Sequence, residues 1–456
     1  MTPVRRVRRA LLALGLAGAT VALLVVGARG WNERTAPLLV AARAAAVAPE
    51  PAASEGPSAT PRTSPSGVEP IMTRADLAAI AERRTEAYAA VDRDAFLGDL
   101  DPADPALRES EGWLYDGLLD SGASSTWRAF MDPSQESALA PRIGAWVATV
   151  HLEERYRLDG IDAVDVSRDH TYLARYVSGR WVLGDDPRLT GHRHGGDLAD
   201  PWDMTHVLVH RTPMGIVVAP AGEAETAAAA ADAMPGAVAA VRDLWPTGWT
   251  GKVAVYLTEP GPIERAYFQY AEFADAVAVP VRQSVEDEFV DSRVRAMRVA
   301  VSPSLFDLRD EGLASLLRHE IAHVATLDRG RTWAPVWFAE GIAEYTAYRG
   351  DPDSRGVTYE LLAEADARDI TAPLEPETFY DHGWHYDHAW LMCAYIAKHW
   401  EEAALTRMLD AYGFLAPGAD EQVATERVVS KVLGVDMKEF QDGFADFLDE
   451  ELNKYS

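Results

Sequence analysis

Residues 10–28 contain no charged side chain, and Arg5, Arg6, Arg8 and Arg9 stand directly before them. An apolar run of this length reaches across a hydrocarbon core, and flanking positive charge stays on the cytoplasmic side. The pattern predicts a single-pass transmembrane anchor at the cell membrane, with the bulk of the chain extracytoplasmic. Val26-Gly27-Ala28 also fits a small-residue cleavage site, which would release the remainder as a secreted protein. Residues 35–70 then lose all period and fill with Ala, Pro, Ser and Thr, the composition of a flexible or semi-extended linker.

Periodicity resumes at Thr73, an N-cap candidate with Asp76 three residues on, leading into Leu77, Ile80, Ala81 and Tyr88 at helical spacing. Strand patterns follow at 144–156, 161–166, 171–177 and 180–183, the last two joined by Ser178-Gly179 as a tight hairpin. From 206 the pattern predicts a hairpin (206–210 with 215–219), an Ala-rich helix at 223–244, and strands at 253–257, 276–281 and 296–301. Beyond Tyr348 the spacing is helical at 356–367, 386–400, 401–412, 420–433 and 436–453. The expected organisation is 1–34 basic tip and anchor or signal, 35–70 linker, 71–198 an α+β domain, and 199–456 a second domain with an α/β half and a helical half.

Charge and cysteine content narrow the partners. A net charge of −28 argues against nucleic acid or an anionic lipid surface, since phosphate binding needs clustered Lys and Arg. The lone Cys393 excludes an internal disulfide and a Cys-based zinc site, and its apolar helical surroundings read as a small buried hydrophobe. His192 and His194 form an H-x-H, but the glycines on both sides read better as a surface loop than as the seed of a metal site.

Chemistry concentrates in His319-Glu320-Ile321-Ala322-His323, an H-E-x-x-H. Histidines at i and i+4 project from one side of a helix and can reach a single Zn²⁺ at about 2.0–2.1 Å. Leu313, Leu317, Ile321 and Val324 form an aliphatic stripe on another face, so the helix has a core side and a metal side. Glu320 is placed to take a proton from metal-bound water. A catalytic zinc site needs a third protein ligand, for which the next helical pattern offers Glu340, with Pro335 suiting its first turn. Gly341 would let that helix approach the histidine helix closely. Glu344, one turn further, either accepts the spare N–H of a ligating histidine, His319, or is a solvated carboxylate.

HEIAH followed by WFAEGIAEY resembles the gluzincin zinc metallopeptidases, the thermolysin and aminopeptidase N clan, and within it most resembles the bacterial peptidase MA-like group. The resemblance implies an α+β fold, a thermolysin/gluzincin-like catalytic domain, with Zn²⁺ held by His319, His323 and Glu340 and with Glu320 as general base hydrolysing peptide or protein substrates. It also implies a sheet strand that pairs with extended substrate, placed here at 296–301. A tyrosine opening a later helix would donate to the developing oxyanion; Tyr386 matches in order, with Tyr380 as rival. His382, His385 and His388 are substrate-binding candidates or ordinary loop and cap residues. The 71–198 segment, a helix then an antiparallel sheet ending in Tyr-x-x-x-Gly-Arg-Trp, is similar to the NTF2-like cone. The competing reading is an anchored binding or scaffold protein whose metallopeptidase-like domain is catalytically silent.

Overall fold

The computed structural model describes residues 72–130, 148–185, 200–258, 276–280, 296–302, 310–330, 334–350, 371–374, 379–415 and 420–454. The anchor and linker read at 1–70, the H-x-H stretch and the helix expected at 356–367 lie outside them. No described helix is long and apolar enough to cross a membrane.

The first lobe opens with helix α1 (Arg74–Ala89), started as its sequence requires. Thr73 accepts the backbone N–H of Asp76, and the Asp76 carboxylate accepts that of Thr73 at 2.8 Å. A single turn, α2 (Arg93–Phe96), and α3 (Pro105–Ser121) follow, the latter capped by Asp104 with Pro105 in its first turn. Strands β1 (Ala123–Phe130), β2 (Ala148–Leu158), β3 (Val166–Val177) and β4 (Arg180–Gly184) form an antiparallel sheet in that order. The β3–β4 turn falls at Ser178 and Gly179, with φ of 51° and 86°, the left-handed geometry a two-residue hairpin needs. Two readings change here. The strand expected at 161–166 is a turn: Gly160 takes a positive φ and Asp162 accepts the Leu158 N–H at 3.0 Å, so pairing resumes only at Val166. β1, whose Ser-Ser-Thr start masks its alternation, was not foreseen.

The second sheet has order β5-β6-β7-β9-β8, from β5 (Val207–Thr212), β6 (Gly215–Pro220), β7 (Val253–Leu257), β8 (Ala276–Pro280) and β9 (Met297–Val301). β6, β7 and β9 run parallel, with antiparallel β5 and β8 at the edges. The strand expected to offer free backbone to substrate is therefore interior: β9 pairs with β7 on one side and β8 on the other, and β8 is the edge. Alternation fixes what each face meets. Val217, Val253, Val255, Val299 and Val301 join the core under α4 (Ala224–Leu244) and α5 (Asp310–Gly330). Ile216, Val218, Ala254, Tyr256 and Ala300 join the core of the first lobe, beside Tyr156 and Trp202. The sheet is covered by helices in front and by the first lobe behind.

The rear contact is also polar. Arg298 of β9, fully buried, donates to both oxygens of Asp162 at 2.6 and 2.9 Å and to the Tyr256 hydroxyl at 2.9 Å. Tyr256 and Tyr156 in turn donate to the two oxygens of Asp200 at 3.0 and 2.6 Å, and Arg168 donates to Asp200 at 2.9 Å. Buried charges persist where such partners meet each of them.

The helical half comprises α6 (Val336–Tyr348), α7 (Trp384–Trp400), α8 (Ala403–Gly413), α9 (Glu421–Leu433) and α10 (Met437–Leu452). Gly341 does permit a close helix approach, but to α7 and not to the histidine helix: a Cβ there would lie 2.6 Å from the Ala389 carbonyl oxygen and 2.8 Å from Cys393 Sγ. Cys393 is fully buried, as its apolar neighbours suggested.

Candidate metal centre

Leu313, Leu317 and Ile321 anchor α5 in the core, as their spacing predicts, and this fixes the helix so that His319, Glu320 and His323 are buried toward α6. Helix α6 is held from its far end, where Trp245 Nε1 donates to Thr346 at 3.0 Å and Arg349 donates to Glu402 at 2.8 Å. Glu340 thereby meets the two histidines. His319 Nε2 and His323 Nε2 are 3.1 Å apart, and each lies 3.3 Å from Glu340 Oε2. These three residues form the metal-competent cluster found among the described residues.

The triangle has the dimensions of a tetrahedral face, since bonds of about 2.05 Å give ligand–ligand edges of about 3.3 Å. Its donor chemistry fits too. Both oxygens of Glu340 are buried, and neither has a hydrogen-bond partner among the described residues. Three heteroatoms converging without a satisfied hydrogen bond to the carboxylate is an arrangement that an ion at their centre would satisfy. On the other side of its ring, His319 Nδ1 stands 3.0 Å from Glu344 Oε1, which favours the tautomer whose Nε2 lone pair faces Glu340.

Two carboxylates in this pocket are driven apart electrostatically. Burial raises Glu320 to about 7, against the pull of His319 and His323, with Glu340 and Glu344 adding to the rise. Burial acts on Glu340 in the same direction, but His323 and His319 overcome it and hold the acid down at about 2. A permanently ionised ligand beside a carboxyl poised near neutrality is the division of labour expected of a ligand and a base. Burial alone would lower His319, yet Glu344 and Glu340 raise it well above its ordinary value.

Both candidate tyrosines are present. Tyr386, in the first turn of α7, is buried with its ring centre 6.5 Å from that of His319. Tyr380 lies in a short 3₁₀ turn (Phe379–Asp381), and its buried hydroxyl has no hydrogen-bond partner among the described residues. Burial, then the charges of Glu340 and Glu421, push that phenol well above its usual range. The nearby histidines divide by role: His385 Nδ1 contacts the Phe379 carbonyl oxygen at 2.8 Å, His388 packs in the core against Phe444, and His382 is exposed. Sequence reading missed Asp387, which burial and the charge of Glu344 raise well above the usual carboxylate range. Its neighbour Tyr386 drew attention, but nothing local announces which face of α7 meets Glu344.

No protein-family model matches the chain, and no curated protein matches it. Among solved structures it is similar to a two-domain M1 zinc metallopeptidase mutant bound to L-arginine, at 12% identity and TM-score 0.31, over 60% of this chain and 58% of that one. It is also similar to an M1 zinc metallopeptidase mutant from Deinococcus radiodurans bound to a Tyr-Ser-Ala substrate, at 13% identity and TM-score 0.31, over 72% of this chain and 62% of the other. The chain thus spans less than two thirds of either structure's length. A likeness at these TM-scores carries no argument about the chemistry of this chain, which rests on its own residues.

Proposed function

We propose that this protein is a zinc-dependent metallopeptidase, anchored in the cell membrane by residues 10–28 and working outside the cytoplasm. The observation that carries the reading is the convergence of His319 Nε2, His323 Nε2 and Glu340 Oε2 within 3.3 Å, next to a buried Glu320 whose oxygens have no hydrogen-bond partner. His319, His323 and Glu340 would hold the metal, and Glu344 would orient His319.

Zn²⁺ bound there supplies a Lewis acid for the scissile carbonyl and a water acidified toward a pKa of about 7. Glu320 removes the proton of the attacking water and delivers it to the leaving amine, a task suited to a carboxyl that burial pushes above its ordinary range. Tyr386 or Tyr380 donates to the developing oxyanion. Tyr380 gains support from its partnerless buried hydroxyl, and Tyr386 from its closeness to His319. We read the first lobe as an NTF2-like cone that covers the rear of the catalytic sheet.

The experiment is chelator-sensitive cleavage of a peptide library by the ectodomain starting near Ile71, with zinc content measured on the same sample. Zinc bound without cleavage of any peptide would favour a silent scaffold instead. A structural zinc site ordinarily closes with a fourth protein ligand, and none joins the three among the described residues.

A further inference from the structure

Trp337 and Glu340 are one turn apart on α6, so their side chains lie along the same face of the helix. Beside Trp337 is a half-open cavity of about 70 Å³, lined by the first turn of α6, the segment 371–374 and the starts of α9 and α10. At roughly 10–15 Å³ for each water-sized group, it has room for roughly five to seven.

Its lining is mixed. Pro373, Leu374 and Met437 supply apolar wall, Trp337 supplies an aromatic ring, and Glu421 and Gln441 supply polar groups. Asp420 caps α9 directly before Glu421, placing a second carboxylate at the same helix start. Packing voids are apolar and dry, whereas a carboxylate, an aromatic ring and apolar walls together suit a methylene stem ending in a cation. The cavity is linked to the metal centre through α6, where Trp337 of its lining stands three residues before Glu340. The strongly negative chain favours the approach of cations generally.

We infer that this cavity receives a lysine- or arginine-type side chain of the substrate, its cation held by Glu421 beside the Trp337 ring. The inference rests on the peptidase reading for the word substrate, and the pocket's preference for cations can be measured without turnover. The full chain carrying Glu320→Gln, loaded with zinc, is titrated with N-acetyl-lysine amide, N-acetyl-arginine amide and N-acetyl-norleucine amide. Binding is followed on the indole N–H resonance of Trp337, which Trp337→Phe identifies by its loss. The two cationic amides bind about tenfold more tightly than the norleucine amide, Glu421→Gln removes that advantage, and Glu421→Lys reverses it toward N-acetyl-glutamate amide. Equal binding of all three amides, or an advantage that survives Glu421→Gln, overturns the assignment. Peptide cleavage by the unmodified chain separates the two claims. Chelator-sensitive cleavage with no cationic preference in binding sinks the pocket and leaves the peptidase standing; cationic preference with no cleavage does the opposite.

Discussion

His319 Nδ1 lies 3.0 Å from Glu344 Oε1, one turn along α6 from the carboxylate that meets the same ring's Nε2. One imidazole thus stands between two acids of one helix, with Glu344 on the side away from the other two candidate ligands. Replacing Glu344 with Gln should lower zinc affinity about 10–100-fold while leaving the fold intact. Competition with a chromophoric chelator measures this directly; unchanged affinity would show that Glu344 orients nothing.

The base and the ligands separate experimentally. Glu320→Gln should keep stoichiometric zinc and lose about 10²–10⁴-fold in kcat, whereas His323→Ala or Glu340→Ala should lose the metal itself. Metal analysis beside peptide hydrolysis on each variant distinguishes the cases, and a Glu320→Gln protein with undiminished turnover excludes this carboxyl as the base.

The pH profile has a defined sign. A carboxyl raised to about 7 by burial is protonated in acid, so kcat/KM should rise with pH, about tenfold per unit on the acid limb. The positive charge of a bound metal pulls that limb below about 7. Glu344 contributes to the upward shift, so Glu344→Gln should move the limb to lower pH still. Movement to higher pH in that variant contradicts the assignment.

Gly341→Ala probes the packing behind the site. The added methyl meets the Ala389 carbonyl and Cys393 Sγ, both closer than 3 Å, so α6 and α7 must part. A loss of about 1–3 kcal/mol in urea denaturation is expected, with weaker zinc binding because Glu340 rides on the displaced helix.

Arg298 and Asp162 test the rear of the sheet. Asp162→Ala leaves a buried guanidinium without its carboxylate, a change expected to cost about 3–5 kcal/mol. The Asp162→Leu, Arg298→Met double variant should be less destabilised than the sum of its single variants. Additive losses would mean that the two side chains do not stabilise each other.

What the sequence revealed follows how local each feature is. The H-E-x-x-H spacing, the Thr73–Asp76 cap and the Ser178-Gly179 turn are set within a few residues, and each appears where it was read. Glu340 was legible because one short connection carries α5 into α6. The partner of Gly341, the interior position of β9 and the Arg298–Asp162 pair depend on segments far apart in the chain, which periodicity cannot order. Asp162 shows the difficulty at one residue: its turn was misread as strand, and its partner is 136 positions away.

Covering the second sheet from behind makes the first lobe inseparable from the second. A chain cut to begin at Val207 would carry Ile216, Val218, Ala254 and Ala300 into water beside an orphaned guanidinium, a surface that invites aggregation. Release of the first lobe by proteolysis is closed to such an architecture, and recombination that swapped one lobe would have to redesign the seam on both sides.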